Sequence, residues 1–222
     1  MHVNADFSRR AVVAADQYQW ITSPQGGVER VMLDRLGGET ARATSIVRYA
    51  SASSFPLHQH PGGEEILVLS GTFSEGNQHY PAGWYLRNPT GSSHQPSSDG
   101  GAIIFVKLGQ MPPEEDRSVR IDTRNPSRWE RRAGREVCPL FADASEQTVL
   151  VRLDRDEPLF ANAVNSAELL VLAGELWTDG RQYVRGSWLR LPAGEYPDYV
   201  AGPHGAALYL KTGHFAGLTT CR

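Results

Sequence analysis

Residues 64–73 read EEILVLSGTF, and residues 167–176 read AELLVLAGEL. Each is a short apolar run entered from turn-forming residues and broken by a glycine, the pattern of a buried β-strand. The two stretches lie 103 residues apart, and their likeness extends outward at the same offset. YPAGWYLRNPTG (80–91) corresponds to YVRGSWLRLPAG (183–194). Gly71, Gly83, Arg87, Pro89 and Gly91 therefore fall opposite Gly174, Gly186, Arg190, Pro192 and Gly194. Further out, FVKLG (105–109) matches YLKTG (209–213) with one extra residue, and TSIVRY (44–49) resembles TVLVRL (148–153). Trp20 and Trp129 open the two halves. Spacing and residue type agree at so many positions that the chain reads as a duplicated β domain. The boundary falls in QMPPEEDRSVRIDTRNPSRW (110–129), and the division expected is 1–112 and 113–222.

The rest of the chain agrees with an all-β reading. Its 222 residues hold 22 glycines and 14 prolines, gathered in gaps such as HPGGE and LPAGEYP between short apolar runs. Many short strands with regular turn signals describe a sandwich or barrel. No long stretch shows helical periodicity; a short helix or irregular segment is expected in the first twenty residues or in MPPEEDRSVR (111–120). The formal net charge is −3, with acidic and basic residues interspersed, so the clustered basic face of a nucleic-acid binder is not expected. No apolar run approaches the roughly 18 residues of a membrane span. The N-terminus lacks the apolar core of a signal peptide, which makes the cytoplasm the expected location. The only two cysteines are Cys138, in an apolar context expected to be buried, and Cys221, expected to be exposed; no disulfide between them is anticipated.

Just upstream of the 64–73 run lies FPLHQHPGG (55–63). Side chains alternate across a strand, so His58 and His60 share one face. A Pro-Gly-Gly turn follows and brings an acidic pair, Glu64 and Glu65, onto the next strand. His94, in PTGSSH, comes from a later strand of the same repeat. Imidazoles converging with one carboxylate suit zinc, iron, copper or nickel, and manganese less well. The second half has lost these groups: at the repeat offset His58, His60, Glu64 and His94 become Ala161, Ala163, Ala167 and Pro197. Glu65 persists as Glu168, which favours a structural role for Glu65 and the metal role for Glu64, with Glu65 the alternative ligand. His2, His79, His204 and His214 lie outside the pattern and read as surface or packing histidines. Arg87 and Arg190 recur at one repeat position and read as structural ion pairs.

The spacing His58-x-His60, three residues, Glu64, six residues, Gly71 resembles the first motif of the cupin superfamily. Pro81-x-Gly83 with Pro89, Gly91 and His94 resembles the second. The resemblance covers both halves and implies a bicupin: two tandem jelly-roll β-barrels, of a kind that often forms homodimers. It also implies the ligand set His58, His60, Glu64 and His94 for one divalent metal per chain. The string H-x-H-P-G-G-E-E-I-L-V-L-x-G-T-F is most similar to the ChrR group, whose cupin accompanies an anti-sigma domain built on a His and a C-x-x-C. This sequence carries no C-x-x-C.

Two functions follow from the resemblance. The first is a sensory or regulatory cupin that holds zinc and has a regulatory protein partner, a sigma factor by likeness alone. The second is an iron- or manganese-dependent dioxygenase acting on a small diketone or phenol; nickel is a further option for the metal. In that case Glu64 could serve as a base, and Tyr49, Phe73, Trp84 and Tyr85 are candidates for the pocket wall, although such aromatics equally suit a barrel core or dimer interface. A metal-assisted binding module for a sugar or hydroxy acid is a third option.

Overall fold

The computed structural model describes residues 1–38 and 41–215; Cys221 lies outside them. The chain divides into two compact units, residues 1–5 with 19–124 and residues 6–18 with 125–222. Both are built from antiparallel strands, and the only helical segments described are two single 3-10 turns, Ala15–Gln17 and Pro126–Arg128.

In the first unit the main sheet runs His2–Val3, Val28–Leu36, Arg42–Tyr49, Ala102–Leu108, Glu64–Glu75, Trp84–Asn88, Val119–Asp122. A separate two-stranded ladder pairs His58–His60 with Ser92–His94. In the second unit the sheet runs Glu130–Arg132, Arg135–Ala142, Gln147–Leu153, Val200–Thr212, Ala167–Thr178, Trp188–Leu191, Ala11–Val13. The repeat is thus a repeat of topology: Glu64–Glu75 and Ala167–Thr178 are each the long strand between the equivalent neighbours.

The unit boundaries differ from the division at 112/113. Val119–Asp122 pairs with Trp84–Asn88, so the segment expected to be a short helix or irregular link ends as a strand of the first unit. Ala11–Val13 pairs with Trp188–Leu191 of the second unit, although it lies early in the chain. Sequence order alone could not assign either segment, because both pairings are non-local.

Alternation along each strand sorts its residues. Ile66, Val68, Phe73, Tyr80, Leu86, Ile104 and Val106 form the interior of the first barrel, with Tyr49 among them and Trp84 packed against it. Tyr85, next to Leu86, faces the other way beside Arg87 and so drops out of the wall expected around the site; it is fully buried on that opposite face. Glu65 shares this face. Arg87 Nη1 donates to Glu65 Oε2 at 3.2 Å, and Glu115 Oε2 lies 3.7 Å from Arg87 Nη2. Lys107, opposite Glu65 across the ladder, donates to Thr44 Oγ1 at 3.1 Å. The second unit repeats the row as Lys211, Glu168 and Arg190, all buried, with Lys211 Nζ donating to Glu146 Oε1 at 3.1 Å.

The long strand is not a plain alternation. Opposite Ala102–Leu108 the register steps from Ser70↔Ile103 to Val68↔Ile104, so Leu69 is an extra, bulged residue. A bulge flips which residues face inward beyond it. Glu64, Ile66 and Val68 face the interior before Leu69, and Phe73 and Glu75 face it after. Ala167–Thr178 has the same step between Val171 and Ala173. Gly71 sits just past the bulge with φ +68°, and a Cβ there would lie 2.0 Å from the Gly101 carbonyl oxygen. Gly174 meets the Gly205 carbonyl in the same way, at 2.1 Å. Only glycine fits this left-handed backbone pressed against a neighbouring strand.

Candidate metal centre

His58 and His94 are direct partners in the small ladder, and His60 pairs with Ser92. The turn after His60 closes because the His60 carbonyl accepts from both Gly63 N (3.0 Å) and Gly91 N (2.9 Å). Gly63 has φ +72°, a left-handed backbone that favours glycine, and a Cβ on it would also displace the Met111 side chain. That turn delivers Glu64 to the interior face, where Asn88, its cross-strand partner, donates to Glu64 Oε2 at 3.0 Å.

The four side chains meet. The three imidazole rings lie 4.6–4.9 Å apart, centroid to centroid. His60 Nε2 and His94 Nε2 are 2.9 Å apart, and Glu64 Oε2 is 3.5 Å from the first and 3.4 Å from the second. His58 Nδ1 lies 2.8 Å from the Pro56 carbonyl oxygen, which requires a proton on Nδ1 and leaves Nε2 as the free lone pair. His94 Nδ1 is likewise engaged, 2.6 Å from Glu75 Oε1. His60 and Glu64 are buried, while His58 and His94 are partly exposed. His58, His60 and His94 form one group able to hold a metal ion; Glu64, Glu75 and His94 form an overlapping one. Nitrogen and carboxylate donors a few ångströms apart, turned toward one point, fit a divalent transition metal.

Glu65, the neighbouring candidate, lies on the opposite face with Arg87. Tyr49 and Phe73 stand in edge contact at 5.9 Å, and Phe73 lies 6.2 Å from the His94 ring. Phe55, not picked out in the sequence, packs edge-on to His58 at 5.1 Å. His79 meets Ser74 Oγ at 2.9 Å, His214 meets Glu168 Oε2 at 2.9 Å, and His2 and His204 are exposed; none joins the cluster.

Electrostatics prepares two of the rings differently. Burial, reinforced by the His94 and His58 rings, pushes His60 down to about 3, so it is neutral and free to ligate at physiological pH. For His94 burial also acts downward, but the Glu75 hydrogen bond and the Glu64 carboxylate outweigh it and raise the ring above its ordinary value. Burial raises Glu64, against the pull of His94 and Asn88. Burial would raise Glu75 too, yet its hydrogen bond with His94 and the nearby Arg120 hold it below the usual carboxylate range.

Glu75 is the residue that sequence reasoning missed. Counted by strict alternation from Glu64 it faces outward; the bulge at Leu69 turns it in. The one available signal was Gly71, which marks such an irregularity in both repeats.

Two antiparallel jelly-roll barrels, the first with a His/Glu cluster at its ladder of two short strands, define a bicupin. Residues 8–112 match the ChrR Cupin-like domain family, so the chain carries a ChrR cupin-like domain over that stretch. It is similar in fold to a proposed dioxygenase from Nostoc punctiforme, with TM-score 0.76, 14% identity, and 96% of this chain and 86% of that one covered. It is also similar to the bacterial pirin from Escherichia coli solved in complex with nickel(II), with TM-score 0.65, 14% identity, and 92% and 98% covered. A Cupin 2 conserved barrel domain protein from Leptotrichia buccalis gives TM-score 0.61 at 15% identity, with 95% and 99% covered. No curated protein matches the sequence.

Proposed function

We propose that the first barrel binds one divalent metal through Nε2 of His58, His60 and His94 and a carboxylate oxygen of Glu64, and that this centre is regulatory. The observation carrying this reading is the convergence of Glu64 Oε2 with the His60 and His94 Nε2 atoms at 2.9–3.5 Å. His58 adds a third ring, with its other nitrogen already engaged. Four donors fill the shell that zinc prefers, and a closed zinc site is structural or responds when a ligand is displaced or oxidised. Within it His60 and Glu64 are held inside the barrel, and His58 is the ligand nearest solvent. The ChrR-type domain supports a regulatory protein partner, a sigma factor by likeness, and cupin likeness supports a homodimer.

A second reading is an iron- or manganese-dependent dioxygenase for a small diketone or phenol. The structural likeness to the Nostoc protein and the partly exposed His58 edge favour it. A bound metal would then supply open coordination positions, Glu64 would hold or release a proton at its carboxylate, and Tyr49, Phe73 and Trp84 would exclude water.

Elemental analysis of untagged protein, expressed with iron, zinc and manganese all supplied, separates these readings. About one zinc per chain is expected, as one four-ligand site requires; iron or manganese instead would favour the dioxygenase. His58→Ala should empty the site and His204→Ala should not. Retained metal in the first variant would sink the ligand assignment.

A further inference from the structure

We propose that Glu75, fixed by Asn88 and Arg120, is the positioning residue for His94, holding that ring with Nε2 turned into the cluster. The proposal rests on the metal reading above and extends it to residues that no sequence motif marks.

Three observations carry it. The first is geometric: Glu75 Oε1 lies 2.6 Å from His94 Nδ1, and the same oxygen accepts from Asn88 Nδ2 at 3.2 Å. Its other oxygen lies 3.2 Å from Arg120 Nη2, which also donates to Asn88 Oδ1 at 2.5 Å. Arg120 is anchored in turn through Nε to the Tyr80 hydroxyl at 3.1 Å and through Nη1 to the Arg87 carbonyl at 3.1 Å. The carboxylate therefore cannot turn away from His94 without breaking several bonds. A carboxylate on Nδ1 keeps the proton there and leaves Nε2 as the donor lone pair.

The second observation concerns Asn88. Its amide donates to Glu64 Oε2 and to Glu75 Oε1 at once, at 3.0 and 3.2 Å, so one side chain sets both the ligand carboxylate and the supporting one.

The third is an internal control. The register that pairs Glu64 with Asn88 and Glu75 with Gln78 in the first barrel pairs Ala167 with Leu191 and Thr178 with Arg181 in the second. Glu75 and Asn88 are thus replaced by Thr178 and Leu191 in the barrel that has lost His58, His60, Glu64 and His94. The buried charged row on the opposite face does persist at the equivalent places, Glu65 as Glu168, Arg87 as Arg190 and Lys107 as Lys211. If Glu75 and Asn88 served the barrel, the second barrel would need them as well. They are absent where the ligands are absent.

The test uses the full-length protein, with cobalt(II) as probe and glutamate variants of increasing severity. Imidazole nitrogen NMR of the metal-free wild type, at a pH high enough for His94 to be neutral, should show its proton on Nδ1. Glu75→Leu should release that preference and weaken cobalt binding, measured by chelator competition, about 10–100-fold, the usual effect of losing such a partner. Glu75→Gln still accepts from Nδ1 but carries no charge. It should keep the tautomer, shift the cobalt absorption bands and weaken binding by less. Glu29→Gln, in a partly exposed pair with Arg48 away from the cluster, should change none of these. Should Glu75→Leu fail to fold, the Gln variant decides alone, and unchanged cobalt affinity and spectrum in it would overturn the proposal. If the wild type takes up no cobalt, the metal reading fails. The His94 tautomer then still decides whether Glu75 orients the ring: a mixture of tautomers in the wild type would refute that as well.

Discussion

Adjacent glutamates, Glu64 and Glu65, differ in everything but type. Alternation turns Glu64 toward His60 and His94 and Glu65 toward Arg87 on the opposite face. The second barrel keeps only the latter position charged, as Glu168. Their substitutions should therefore separate. Glu64→Gln should lose metal with little change in the apo fold, because Asn88 can still bond the amide. Glu65→Gln should keep metal but lose stability, since Arg87 is 1% exposed and would lose its shortest carboxylate partner. Breaking a buried pair costs about 3–5 kcal/mol, and the remaining Glu115 at 3.7 Å places the expected loss toward the lower end. Denaturant unfolding of the two metal-free variants checks this; equal losses would remove the distinction.

The bulge in Glu64–Glu75 is the decisive element. Glu75 lies eleven positions after Glu64, an odd offset that plain alternation would send to opposite faces; the extra Leu69 brings both inside. Gly71 permits the close approach to Gly101 that follows. Gly71→Ala should cost at least ~1–3 kcal/mol, from the left-handed backbone and the clash with a backbone carbonyl. It should also weaken metal binding, because Glu75 and Phe73 depend on the turn; thermal unfolding and metal titration of the variant measure both. A variant as stable as the wild type would mean the strand relaxes without the bulge. Repetition also governs the entry to each half. Arg48 lies over Trp20 at 4.1 Å and pairs with Glu29, and Arg152 lies over Trp129 at 4.0 Å and pairs with Glu136. These partly exposed stacks explain why a tryptophan opens both halves.

Among the described residues of the whole molecule, duplication has left a cluster in one barrel and none in the other. Among the described residues both groups able to hold a metal lie in the first unit. A ligand that binds only the folded form stabilises it by about 2.7 kcal/mol at a hundred times its Kd. Adding zinc to the metal-free protein should accordingly slow hydrogen exchange in His58–His60, Ser92–His94 and Glu64–Glu75. Ala167–Thr178 should be unaffected. Slowing confined to the second unit would contradict the site. The interior of that second barrel is instead filled by side chains such as Leu169, Leu176, Leu191 and Leu208, with Phe160, Tyr196 and Tyr199 in mutual aromatic contact.

Period and repeat were enough to read a duplicated β domain, and the cupin-like motif spacing to read two barrels with one His/Glu cluster that the second copy has lost. Those features are local: alternation of two and fixed offsets survive in a linear string. What only the tertiary structure decided is non-local. Strand pairing drew Val119–Asp122 into the first unit and Ala11–Val13 into the second, because a strand's place is set by the edge it hydrogen-bonds to, not by its neighbours in sequence. The register step at Leu69, visible only against Ala102–Leu108, turned Glu75 inward beneath His94.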